Sequence, residues 1–195
     1  MRAWVLFALV GLATPVAGLA QSTADARTAL RTGAYQDAVR GFTRVLDDEP
    51  GAVEARKGLV KALLALGRYE DAESSAREAP SALSAANTLG EVLALRGQTT
   101  QAEAAFRQAA DGGAADRLTA AVNLAELLFN QGRVDEAMTR FDAFIDIYNQ
   151  ADGRLRAEEL VAVARAVRYL GRDNPDLFQD ALRALDEAAR ADPTW

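Results

Sequence analysis

A short pattern returns along most of this sequence: a glycine, a larger residue two places on, and an alanine three places after that. It reads Gly33, Tyr35, Ala38; Gly67, Tyr69, Ala72; Gly97, Thr99, Ala102; and Gly132, Val134, Ala137. An apolar residue follows each alanine by four places, namely Phe42, Ala76, Phe106 and Phe141, and Val45, Ala79, Ala109 and Phe144 extend the same faces. A fifth copy, Phe178, Ala181, Leu185 and Ala188, has its glycine, Gly171, displaced upstream. The anchor alanines lie 34, 30, 35 and 44 residues apart. A period in the thirties marks supersecondary units that bury their apolar sides only by stacking on one another.

Each anchor has a physical reason. Glycine ends a helix because it accepts the left-handed conformation there. Alanine lets two helices cross closely, and the residue four places on fills the same face one turn later. Upstream of the glycines lie further stretches with apolar spacing of three and four, such as Leu59, Leu63, Leu64 and Leu66, or Leu89, Val92, Leu93 and Leu95. Each unit therefore reads as helix, tight turn, helix. Helices are expected over 22–31, 35–48, 52–66, 69–78, 81–96, 99–110, 114–131, 134–150, 153–170 and 176–191, with no strand. The second unit is short, so its second helix should stop near Ala79, with Pro80 opening the next. In the fifth, Asn174 can cap a helix begun by Pro175.

On these residues, and on the Asp192–Pro193 pair, the chain resembles the tetratricopeptide repeat family over residues 21–193. The large aromatic that the family places early in each first helix is missing, with Arg56, Ala86, Ala121 and Leu160 there instead. The resemblance implies an all-α, right-handed α-solenoid of about five units (21–52, 53–82, 83–117, 118–156 and 157–193), with first helices lining a concave side. It implies a non-catalytic scaffold that binds a protein or peptide in that groove. The carboxylate clamp of cytosolic relatives does not carry over: one register gives Thr23, Arg27, Gly58, Ser84 and Thr88, and the next gives only a partial set.

Residues 1–20 read differently. Met1 and Arg2 precede the apolar stretch Ala3–Ala13, Pro15 interrupts it, and the small residues Gly18 and Ala20 stand three and one places before Gln21. This is the pattern of a secretory signal peptide cut after Ala20. The apolar stretch is short for a membrane span, and a retained anchor is the alternative. The expectation is an exported protein, periplasmic or secreted, without stable membrane insertion of the mature chain. The formal net charge of −6 argues against general nucleic-acid binding.

The chain contains no cysteine and no histidine. That removes the commonest general base and the thiolate and imidazole metal ligands. No phosphate loop or nucleophile elbow appears, and no cofactor is expected. Phe42, Phe106, Phe141, Phe144 and Tyr69 are expected in the core.

The repeat phase selects candidate groove residues. Lys57 and Lys61, the only lysines, share one first helix and lie near Arg27 and Arg31; they could grip a partner carboxylate, or be solvated and paired, as Lys57 with Glu54. A second set is Asn87, Glu91, Asn123, Glu126 and Asn130, with Arg165 on the last first-helix. Asparagine is unfavourable inside a helix, so these either bond to an extended peptide or simply face solvent. The chain also stops directly after a repeat-ending Pro193, at Thr194–Trp195, leaving the apolar side of helix 176–191 uncovered. That suggests continuation into a longer polypeptide, such as an exported enzyme with a repeat arm, or self-association through this helix.

Overall fold

The computed structural model describes residues 15–172 and 174–193, with side chains from Gln21 onward. The cut after Ala20, most of the apolar leader, and Thr194–Trp195 lie outside the described side chains. Ten helices follow in order: α1 Pro15–Arg31, α2 Tyr35–Asp48, α3 Val53–Ala65, α4 Tyr69–Arg77, α5 Ala82–Leu95, α6 Thr99–Asp111, α7 Arg117–Asn130, α8 Val134–Ala151, α9 Ala157–Leu170 and α10 Asp176–Ala191. The described residues contain no strand.

The anchors act as their chemistry requires. Gly33, Gly67, Gly97 and Gly132 all hold φ between +71° and +80°, turning the chain from first to second helix. Ala38, Ala72, Ala102 and Ala137 are fully buried at the helix crossings. The fifth turn works otherwise: Gly171 stays right-handed at φ −63° and gives its space to the Phe178 ring, 3.3 Å from where a Cβ would stand. Asn174 Oδ1 then accepts from the Asp176 N–H at 3.3 Å and caps α10.

Several boundaries differ from the sequence reading. The first helix already includes Pro15, the first described residue, ahead of the expected residue 22. α5 begins after Ser81, whose hydroxyl accepts from the Ser84 N–H at 3.1 Å, so Pro80 precedes the cap and does not open the helix. α9 starts at Ala157, not 153, because Asp152 and Gly153 both take left-handed turns and Glu159 bonds back to the Arg156 N–H at 2.9 Å.

Consecutive helices pack as antiparallel neighbours along the whole stack. The backbones of first helices also approach the next first helix (α1 with α3, α3 with α5, α5 with α7, α7 with α9), whereas among the described residues second helices come no closer than side-chain ion pairs such as Arg107–Glu136. The closer spacing puts the first helices on the inside of the curve. Phe42, Phe106, Phe141 and Phe144 are buried as expected, while Tyr69 is 40% exposed at the start of α4. Phe42 is accommodated because Gly58 of α3 presents no side chain: a Cβ there would stand 2.3 Å from the ring. Leu185, the corresponding position in the last unit, is 44% exposed, with no following helix over it among the described residues.

Where the family's aromatic is missing in the second unit, Arg56 is buried and bonds instead of stacking. Its guanidinium donates to the Pro50 carbonyl at 3.0 Å, the Ser75 carbonyl at 3.3 Å and Glu78 Oε2 at 3.1 Å. One side chain thus ties the turn before α3 to the end of the short α4.

Candidate functional site

The inner helices enclose a groove with a cavity of about 550 Å³ to which all five contribute. From α1 come Arg27, Leu30 and Arg31, and from α3 come Glu54, Lys57, Gly58 and Lys61. α5 supplies Asn87, Thr88 and Glu91; Asp116 and Thr119 come from the start of α7. Glu158, Val161, Ala162 and Arg165 of α9, and Asp192 beyond α10, complete the wall.

The groove floor carries a continuous chain of polar contacts across four inner helices, α3, α5, α7 and α9, and the turn before α7. Lys57 Nζ lies 3.1 Å from Asp116 Oδ2 and 3.3 Å from Glu54 Oε1. Asn87 Nδ2 donates to the same Asp116 oxygen and to Glu91 Oε1, each at 3.3 Å. Asn123 Nδ2 donates to Asn87 Oδ1 at 3.0 Å and to Glu91 Oε1 at 3.2 Å. Arg165 closes the chain, donating to Asn123 Oδ1 at 2.7 Å and to both Glu126 oxygens at 2.6 and 3.2 Å. Bonds of this kind fix the spacing of neighbouring helices, since leaving any one group buried and unpaired is costly.

Two charges in this chain titrate abnormally. Desolvation at the groove floor pushes the Glu91 carboxyl above the ordinary carboxylate value of 4.5, against the opposing pull of nearby Lys61 and the Asn123 hydrogen bond. Burial pulls on the Lys57 ammonium in the opposite direction from its partners Asp116 and Glu54, which outweigh it and leave the pKa raised. Lys61 is exposed and has no ion-pair partner within 4 Å among the described residues.

Seven of the ten residues selected by repeat phase line the cavity: Arg27, Arg31, Lys57, Lys61, Asn87, Glu91 and Arg165. Asn123 and Glu126 are set back from the lining and hold Arg165. Asn130, the last residue of α7, is exposed and lies outside the lining. The asparagines Asn87 and Asn123 neither reach for an absent peptide nor face water alone; they bond to each other and to their charged neighbours. Sequence reasoning missed Asp116. It stands at the N-cap of α7, yet its side chain makes no capping bond and turns into the groove toward Lys57 and Asn87. The expected helix over 114–131 ran through it, whereas α7 begins at Arg117 and leaves Asp116 in the turn between units, out of the helical phase. No group of three or more acidic residues arranged to hold a metal occurs among the described residues.

A stack of helix-turn-helix units with a polar inner groove defines a repeat scaffold. Family models for the tetratricopeptide repeat match residues 29–86 and 87–152. The chain belongs to the tetratricopeptide repeat family, whose members serve as protein-interaction scaffolds. No curated protein matches the sequence. Among solved structures, a putative kinesin light chain of Podosopora anserina with nearly identical TPR-like repeats is similar at a TM-score of 0.56 and 19% identity, covering 94% of this chain and 100% of that one. The MamA protein is similar at a TM-score of 0.52 and 18% identity, covering 90% of this chain and 92% of that one. At such identities the likeness is one of fold.

Proposed function

We propose that the protein is a non-catalytic adaptor that binds an extended peptide segment of another protein in the groove formed by α1, α3, α5, α7 and α9. The observation that carries this reading is the groove itself, in which five inner helices contribute polar groups to one cavity of about 550 Å³. Unlike a core, it retains exposed charge, with Arg27, Arg31 and Lys61 all open to solvent. Selecting an unbiased displayed peptide library on the protein and on a Thr119→Arg variant, whose larger side chain occupies the groove, tests it. Peptides enriched on the former and lost on the latter are expected; peptides that bind both equally would place the contact elsewhere.

Residues 1–20 fit the same reading as an export signal, making the mature chain periplasmic or secreted. N-terminal sequencing of the protein recovered from the exported fraction should begin at Gln21. A start at Met1 would contradict it.

Self-association through α10 is a second reading, favoured by the exposed Phe178, Leu182 and Leu185, which share one face at helical spacing and are 41%, 58% and 44% exposed. Light scattering across a concentration range separates it from a monomer. A mass that rises with concentration in the protein but not in Leu182→Glu would support it.

A further inference from the structure

The groove is divided by sign along its length. On its α1 and α3 side, Arg27, Arg31, Lys57 and Lys61 are accompanied by a single acid, Glu54. On the side of α5, α7, α9 and the segment after α10, the described lining carries Glu91, Asp116, Glu158 and Asp192 and one base, Arg165, with Arg156 behind it close enough to act on Asp116 and Glu158. Arg165 is itself held by both oxygens of Glu126, so it offers little net charge to a ligand.

The seam between the halves is internally neutralised. Lys57 reaches past α5 to Asp116 at 3.1 Å, and Asn87 completes the acid's coordination. A charged ligand group placed there would have to displace a half-buried ion pair. Toward the two ends, Lys61 is exposed and has no ion partner within 4 Å among the described residues, and Glu158 is exposed in the first turn of α9. Complementary charge in a partner is therefore rewarded at the two ends and not at the centre.

Building on the groove-binding reading above, we propose that the groove selects a bipolar segment: acidic residues over α1 and α3, uncharged residues across the Lys57–Asp116 seam, and basic residues over the Glu158 end of α9. The charge order of the groove then fixes the orientation of the bound chain as well as its composition.

A synthetic peptide with a glutamate block at one end, a lysine block at the other and glycine and serine between them tests the idea on the intact protein. Its control has the same composition with the charges alternating. The block peptide should bind roughly tenfold more tightly, with the difference shrinking as salt rises. Lys61→Glu and Glu158→Lys should each weaken the block peptide several-fold while leaving the alternating one unchanged. A nitroxide on the acidic end should broaden the amide signals of Arg27–Arg31 and Lys57–Lys61, and one on the basic end those of Thr119 and Glu158–Arg165.

Equal binding of block and alternating peptides, or a nitroxide pattern without end preference, would overturn the bipolar assignment and leave the groove reading standing. So would library peptides that occupy the groove while the block peptide does not. Failure of every peptide to perturb the groove would overturn both.

Discussion

The inner and outer faces of this solenoid both use side chains to link neighbouring units, yet they do it in different dielectric surroundings. Inside, Asn87, Asn123, Glu91 and Arg165 bond across α5, α7 and α9, and Asn87 is almost wholly buried. Outside, arginines after the first helices reach back to acids on the preceding second helices: Arg96 to Glu73, and Arg133 to Glu103 at 2.7 Å, with Arg107 and Glu136 joined to the latter pair. The outer network contains more formal ion pairs, but although Glu73 and Glu103 are largely covered, Arg107, Arg133 and Glu136 are each 39% exposed, and pairs wetted in this way contribute little. The inner chain contains neutral amides whose loss would strand buried partners. The number of charges linking two units is thus a poor guide to what holds them.

Both faces depend on the core that sets unit spacing, and the largest effect should come from disturbing it. Gly58→Val would drive a branched side chain into the Phe42 ring and should destabilise the protein by about 3 kcal/mol in urea denaturation. A loss well under ~1 kcal/mol would mean that the units slide freely there. On the inner face, Asn123→Ala should cost about 2 kcal/mol, because Asn87 Oδ1, Glu91 and Arg165 each lose a partner.

The two faces should also respond to pH with opposite sign. Glu91 has a raised pKa, so the folded protein holds its proton more tightly than the unfolded chain. Stability from this group is greatest below the unfolded value near 4.5 and is lost as pH rises through the folded value. Glu73 and Glu103 are lowered, chiefly by hydrogen bonds from Arg77 and Arg107 respectively. Their contribution is present above 4.5 and is lost as pH falls through the folded values. Comparing urea midpoints at pH 4 and pH 7, about either side of the carboxylate range, Glu91→Gln should gain on the parent protein as pH rises. An unchanged difference would remove the desolvation account of Glu91.

The smallest effect belongs to the outer network. Glu103→Ala should shift the urea midpoint slightly at low salt and not at all at high salt. A salt-insensitive loss as large as that of Asn123→Ala would erase the distinction between the faces.

The sequence legibly carried whatever depends on local chemistry. α2 and α10 match their expected spans at both ends because the left-handed turn at Gly33 and the Asn174–Pro175 cap are local signals. The start of α9 was obscured because Asp152, a non-glycine residue, takes φ 49° and the helix is capped through Arg156 and Glu159, not through serine, threonine, aspartate or asparagine. The groove residues were legible as positions on a face. Their partners were not: the 36-residue separation of Asn87 and Asn123 places them on neighbouring inner helices, but only packing turns one amide toward the other. Asp116 was hidden for the same reason, its side chain redirected from the cap it would ordinarily form to Lys57 across the groove.

The claim on which the account rests is that the inner helices together form one binding surface for an extended chain. Amide chemical-shift mapping with a library-selected peptide measures it directly. The account predicts shifts gathered along α1, α3, α5, α7 and α9, including Lys61, Thr88, Thr119 and Val161. Shifts confined to the outer helices, or to the exposed Phe178–Leu185 face of α10, would contradict it.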